Sequence, residues 1–189
     1  MSSASSNAHI RVDGLTMAYG SFVIMRDLTF EVARGSVFVI MGGSGCGKST
    51  LLRHLIGLNA PTAGTIFYGE ENFSSAPPDA RERMLRRFGV LYQAGALFSS
   101  LTLAQNVMLP LGEYTDLAPR ELRESLGATI VVVTHELPSI FTIADDSVFL
   151  DADSRTMIAS GAPKELLARS TDPRVREFLT RGAEGSHHG

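Results

Sequence analysis

The run Gly42-Gly43-Ser44-Gly45-Cys46-Gly47-Lys48-Ser49 fits G-x-x-x-x-G-K-[ST] without a mismatch. Each residue type has a chemical reason to be there. Glycines let the backbone curl so that successive N–H groups turn inward around phosphate oxygens. A helix starting near Ser49 would add the partial positive charge of its N-terminus, roughly +0.5. Lys48 would reach the β- and γ-phosphates of a nucleotide, and the Ser49 hydroxyl would bind Mg²⁺. The candidate phosphate site is therefore Gly42, Gly43, Ser44, Gly45, Cys46, Gly47, Lys48, Ser49 and Thr50. Cys46 has two readings: a thiol made reactive by the helix N-terminus, or a small filler whose backbone does the binding.

Such a loop works only if rigid elements hold it. Ser36–Met41 is apolar throughout, as a strand covered on both faces would be. After the loop, Leu51, Leu52, Leu55, Ile56 and Leu58 fall near one face of a helix, which the Pro and glycines of Gly57–Gly64 end. Upstream, Ile10–Val12 reads as a short strand, Gly14 and Gly20 frame a loop carrying Tyr19, and Leu28–Val32 alternates as a strand. Downstream, Thr65–Tyr68 and Phe88–Tyr92 read as strands, Phe73–Asp79 as a loop and Arg81–Arg87 as a basic helix. Thr102–Leu109 and Arg120–Leu126 read as helices. Thr129–Val133 is an apolar β-branched run, predicted as a buried strand. Leu137, Ile140, Phe141 and Ala144 have helical spacing. Ser147–Leu150 and Thr156–Ala159 resemble two strands around a polar turn, and Lys164–Leu179 a helix. Strands alternating with helices predict a layered α/β domain.

Composition bounds what this domain can be. The 189 residues are 44% apolar and 20% charged, enough for one packed core and unlike a disordered chain. A net charge of −3 gives no bulk attraction to nucleic acid or an anionic membrane. The longest apolar run, Val37–Met41, is far short of the ~20 residues that span a bilayer. The Ser-rich start does not read as a secretion signal, and one cysteine, Cys46, fits a reducing compartment. A cytoplasmic protein is the expectation. Residues 1–8 should be disordered, 9–182 form the domain, and 183–189 a flexible tail. Only Lys48 and Lys164 are lysines in a chain otherwise basic through arginine. The Arg81, Arg83, Arg86 and Arg87 cluster reads as a solvated helix face with Glu82 interspersed.

Around the phosphate loop, the order of other features resembles the ATP-binding subunit of ABC transporters, in particular the lipid-asymmetry (Mla) or toluene-tolerance type of Gram-negative bacteria. Tyr19, in Leu15-Thr16-Met17-Ala18-Tyr19-Gly20, matches the aromatic that stacks on adenine. Gln93, after Phe88-Gly89-Val90-Leu91-Tyr92, matches the glutamine that contacts Mg²⁺ and attacking water and faces the permease. Leu97-Phe98-Ser99-Ser100-Leu101-Thr102 and Asn106-Val107 continue that pattern. His135, after Thr129-Ile130-Val131-Val132-Val133-Thr134, matches the switch histidine beside the γ-phosphate. The resemblance implies a P-loop NTPase layered sheet with flanking helices and an N-terminal antiparallel β part. It further implies ATP and Mg²⁺ as cofactors, with Ser49 and Gln93 at the metal and Gln93 and His135 catalytic. The expected partners are an integral-membrane permease, which would hold the chain on the inner face of the inner membrane, and a second ATP-binding subunit; nucleic acid is not among them.

The resemblance also has a gap. Between Gln93 and His135 the family places a helical subdomain, a signature loop of the Leu-Ser-Gly-Gly-Gln kind, and a strand ending in Asp-Glu followed by the D-loop. None of these motifs is present. Arg120–Gly127 runs straight into the switch strand, so the helical subdomain is expected to be largely absent and the chain internally deleted near 120–128. Leu122-Arg123-Glu124 matches either the early helical subdomain or the helix before the switch strand. Phe149-Leu150-Asp151 is no substitute, because it follows His135 and Ala152 stands where the glutamate would. An intact member would sandwich ATP between one phosphate loop and the partner's signature loop, and would polarise water with that glutamate.

The leading expectation is an ATP-binding subunit of a phospholipid ABC transporter with impaired hydrolysis. An alternative is a non-catalytic nucleotide-binding or regulatory module docking on the permease through Gln93–Pro110. A small P-loop kinase or GTPase fits less well, since no Asn-Lys-x-Asp guanine reader is present. In the family's sheet order the deleted strand lies on the far side of Thr129–Val133. Its loss leaves an apolar edge open, or brings Phe88–Tyr92 in to close it.

Overall fold

The computed structural model describes residues 8–87, 129–133, 140–141 and 143–184. The chain divides into two compact units, Met1–Ala76 with Thr129–Gly189, and Pro77–Ala128.

The first unit holds two sheets. One is antiparallel, in the order β2-β1-β4-β5, from β1 (Ala8–Tyr19), β2 (Phe22–Ala33), β4 (Ala63–Tyr68) and β5 (Glu71–Asn72). The stretch expected to be a loop around Gly14–Gly20 is instead the second half of β1. Ile10, Val12, Leu15 and Met17 are all buried, yet the step from Val12 to Leu15 breaks strict alternation. A bulge at Gly14 absorbs the extra residue, with φ 59° and its N–H donated to Thr29 Oγ1 at 3.0 Å. β2 compensates with its own irregularity, where Asp27 at φ 53° separates inward-facing Met25 from Leu28. The two offsets keep both apolar faces in register. Gly64 of β4 crosses so close to the Gly14 bulge that a Cβ would lie 2.2 Å from the Gly14 carbonyl oxygen.

The second sheet runs β6-β3-β7-β8, from β3 (Val37–Gly42), β6 (Ile130–Val133), β7 (Asp146–Asp151) and β8 (Thr156–Ser160). β6 and β7 lie parallel to β3 on its two sides, and β8 returns antiparallel to β7. β3 is buried from Phe38 onward, as its unbroken apolar sequence requires. Thr129–Val133 pairs with it as expected, with Ile130 opposite Val37 and Val133 opposite Ile40. It is not the buried strand its apolar sequence predicts, however: Ile130 is exposed and Val131–Val133 are half-buried. Among the described residues β6 has no second strand partner; Phe88–Tyr92 lies outside the described residues.

Helix α1 (Lys48–Leu55) follows β3 and buries Leu51 and Leu55, while Leu58 lies beyond its end and is exposed. The C-terminal segment is two helices rather than one, α3 (Pro163–Arg169) and α4 (Pro173–Glu184). Ser170 is extended and Pro173 cannot continue the preceding helix, so the chain breaks between them. Val175 and Leu179 of α4 pack with Val39, Met41, Ile140 and Phe149 into the core beneath the sheet.

In the second unit, α2 (Pro78–Leu85) begins inside the stretch expected to be a loop, because Pro is well placed in a first helical turn. Arg83 of α2 and Arg86 just past its end are each paired one turn back, Arg83 with Asp79 at 3.2 Å and Arg86 with Glu82 at 2.7 Å. A solvated, internally neutralised face accounts for them.

Candidate nucleotide site

β3 ends at Gly42, where the loop must pass against the end of β7. A Cβ on Gly42 would stand 2.4 Å from the Leu150 carbonyl oxygen and 2.6 Å from Cys46 Sγ, at φ 141°. Only glycine fits. Gly45 and Gly47 also take positive φ, 76° and 91°, which turns the loop over the start of α1. A Cβ on Gly47 would meet Ile24 Cγ2 at 2.9 Å, so β2 fixes the loop from the other side. The Cys46 thiol is buried under the loop, which accords with the filler reading.

α1 begins with no side-chain cap and no acidic residue in its first turn. Its first amides therefore lack the partners that helix starts normally recruit. Lys48 is only 6% exposed. Its Nζ donates to the Gly42 and Gly43 carbonyls at 2.9 and 2.6 Å and lies 3.7 Å from Cys46 Sγ. The ammonium is thus folded onto its own loop, held where an incoming anion would compete with carbonyl oxygens for it. Ser49 is exposed beside it. This arrangement of curled glycines, uncapped amides and one ammonium fits a polyphosphate. Among the described residues no group of three or more His, Cys, Asp or Glu side chains could hold a metal ion. A Mg²⁺ here would depend on phosphate oxygens and the Ser49 hydroxyl.

One cleft of about 460 Å³ joins this loop to the tip of the β1–β2 hairpin, lined by Tyr19, Phe22, Ile24, Ser44, Gly45 and Gly47 through Thr50. Tyr19 ends β1 and is 53% exposed. Asn59 Nδ2 donates to its phenol oxygen at 3.2 Å. That bond, with those of Arg53 and Thr50, holds the phenol below its ordinary pKa. Sequence reasoning placed Tyr19 at this site and missed Phe22. The signal was there: Tyr19-Gly20-Ser21-Phe22 sets two aromatics opposite each other across a two-residue turn. Gln93 and His135 lie outside the described residues, as do Gln93–Pro110 and Arg120–Leu126.

Residues 25–169 match the sequence pattern of the ABC transporter family. This chain belongs to that family. It is an ABC transporter ATP-binding subunit; such subunits bind ATP, dimerise and pair with membrane permeases. It is 29% identical to the intermembrane phospholipid transport system ATP-binding protein MlaF of Escherichia coli (strain K12), over 88% of this chain and 86% of that protein. A probable ribonucleotide transport ATP-binding protein, mkl, of Mycobacterium leprae is 39% identical over 61% of this chain and 33% of its own length. Among solved structures, an ATP-binding subunit of an ABC transporter superposes with a TM-score of 0.66 at 20% identity, covering 92% of this chain and 99% of that one. The ATP-binding cassette MJ0796, bound to ADP and Pi, superposes with a TM-score of 0.60 at 19% identity, covering 80% and 97%. These likenesses establish the ABC ATPase fold.

The MlaF alignment runs over 235 residues, more than the 189 this chain contains. Dozens of aligned MlaF positions therefore have no counterpart in this ABC subunit. No helix among its described residues is long and apolar enough to cross a membrane.

Proposed function

We propose that this ABC subunit holds MgATP in the cleft between Tyr19 and the Lys48–Thr50 helix start, and serves a phospholipid transport system while hydrolysing ATP slowly or not at all. The observation that carries the binding part is the loop itself: Gly42–Gly47 curled over an uncapped α1, with Lys48 as the one ammonium at its centre. In this reading the backbone of Gly42, Gly43, Ser44, Gly45, Cys46 and Gly47 surrounds the phosphates, and Lys48 exchanges its loop carbonyls for phosphate oxygens. Ser49 and Gln93 meet Mg²⁺, Thr50 contributes to the phosphate site beside Ser49, Tyr19 stacks on adenine, and His135 faces the γ-phosphate. The substrate class rests on the likeness to MlaF, which spans most of both chains and whose name specifies phospholipid transport. Docking on a permease at the inner face of the inner membrane, and pairing with a second subunit, follow from the family.

Weak turnover is supported by the missing signature loop and Asp-Glu strand between Gln93 and His135, and by the surplus of aligned relative sequence. Phosphoryl transfer depends on positioning and charge stabilisation, and loss of general-base assistance alone typically costs 10²–10⁴-fold. Calorimetry with MgATP should register binding, and steady-state turnover should fall about 10²–10⁴-fold below an ABC subunit that keeps the Asp-Glu strand, assayed alongside. No heat from a folded sample ends the nucleotide reading; a normal rate ends the impairment. Binding without any turnover would favour the regulatory-module form of the proposal.

A further inference from the structure

The cleft contains a second exposed aromatic whose position the phosphate loop does not explain. Phe22 is 60% exposed, although a phenylalanine ring gains from leaving water. It sits directly across the β1–β2 hairpin from Tyr19, and both rings line the same cleft as the phosphate loop. Each ring is steadied by a polar side chain from elsewhere in the unit. Asn59 holds the Tyr19 phenol, and the Arg155 guanidinium lies over the Phe22 ring, 5.0 Å from its centroid.

Arg155 is itself fixed. It occupies the turn between β7 and β8 at φ 54°, a left-handed conformation that only a tight turn sustains. Its carbonyl accepts the Arg26 N–H at 2.9 Å, and the neighbouring Thr156 hydroxyl donates to the Arg26 carbonyl at 3.0 Å. The second sheet therefore reaches across to β2 and sets a cation on one face of Phe22. That leaves the ring's other face for a flat, polarisable partner.

We infer that Phe22 is a second aromatic wall for the nucleoside, held in place by Arg155, and that with Tyr19 it makes the cleft prefer purine over pyrimidine triphosphates. The inference rests on the proposal that the cleft binds MgATP. Stacking is insensitive to hydrogen-bond pattern but grows with π-surface, so two rings reward the larger base. Phe22 would touch the nucleoside; Arg155 acts through Phe22 and is a positioning residue.

The test is calorimetry on the full chain with three probes, each with Mg²⁺: ATP, CTP and inorganic tripolyphosphate. Tripolyphosphate reports the phosphate loop without a nucleoside. Phe22→Ala should weaken ATP about tenfold, narrow the ATP-to-CTP preference, and leave tripolyphosphate unchanged. Phe22→Leu, which keeps apolar bulk without a π-face, should behave like Phe22→Ala. Arg155→Ala should weaken ATP about threefold, and Arg155→Lys should restore it, because an ammonium also attracts the ring. ATP affinity unchanged in Phe22→Ala, a wild-type-like Phe22→Leu, or equal losses for ATP and tripolyphosphate would each overturn the inference while leaving the phosphate site standing. Wild-type protein that binds neither ATP nor tripolyphosphate would remove both readings together.

Discussion

The two sides of β3 differ sharply. On one side β7 is buried from Ser147 onward and continued by β8, and Gly42 closes against Leu150 with no room for a side chain. On the other, β6 is short and only half-buried, Ile130 is 45% exposed, and among the described residues nothing pairs beyond it. The family resemblance puts phosphate binding at the end of β3 and the strand carrying the hydrolytic carboxylates beyond β6. In the proposed reading the nucleotide is held on the well-packed flank, and the carboxylates this sequence lacks would belong beyond β6. On that reading, holding a nucleotide and cleaving it would rest on separable parts of one sheet.

A pair of substitutions tests that asymmetry most strongly. Gly42→Ala puts a methyl group against the Leu150 carbonyl and imposes positive φ on alanine. Overpacking and backbone strain together should cost about 2–4 kcal/mol, read as a lowered urea midpoint. Ile130→Ala on the opposite flank removes a largely exposed side chain and should cost less than about 1 kcal/mol. Equal losses would mean that β6 is packed as firmly as β7.

Amide exchange sharpens the same contrast within β6. The Ile130 N–H donates to the Ser36 carbonyl at 2.9 Å, and in a parallel strand alternate amides face alternate neighbours. Val132 should therefore face β3, while Val131 and Val133 face away. If the edge is open, Val131 should exchange about a hundredfold faster than Val132 or Val148. Val131 protected as well as Val148 would reveal a strand closing the gap.

Much of this was legible in the sequence, for physical reasons that also explain what was not. A strand buried on both faces is apolar throughout, which made Ser36–Met41 legible. The β-branched run of Thr129–Val133 marked a strand but not its burial, since Ile130 is exposed and Val131–Val133 are half-buried. The parallel pairing of the two followed from the family's sheet order. The phosphate loop was legible because its glycines answer to backbone geometry. β1 was half hidden because the Gly14 bulge breaks the period of two that marks a strand. The split between α3 and α4 was signalled by Pro173, which outweighs the helical spacing around it. Engagement of Lys48 with its own loop carbonyls leaves no trace in residue spacing. Neither does Arg155 over Phe22, a contact between residues far apart in the chain that exists only once β8 lies beside β2. Gln93 and His135 were named from the resemblance, and they stay proposals.

The smallest effect expected is a difference in pH response between the flanks. Near β6, Thr129 Oγ1 accepts the Gly35 N–H at 2.9 Å and lies 2.8 Å from His9 Nδ1. Burial, then the Arg34 guanidinium, lowers the His9 pKa from its usual 6.5. The folded state therefore favours neutral His9, and the unfolded chain takes up the proton first. Stability from this group is present above pH 6.5 and is lost as pH falls through the lower folded value. At the end of β7, burial pushes the Asp151 carboxyl up. Hydrogen bonds from Ser154 and the Arg174 guanidinium 2.7 Å away outweigh it, leaving the pKa below the usual 3.8. That contribution is present above pH 3.8 and fades only as pH falls below it. Lowering pH from 7.5 to 5 should therefore loosen Ile130–Val133 in amide exchange while β7 keeps its protection. His9→Gln, which cannot titrate, should abolish the change at β6. Asp151→Asn should leave it intact and flatten the acid limb instead. Loosening of both flanks together above pH 5 would show that they respond as one cooperative unit.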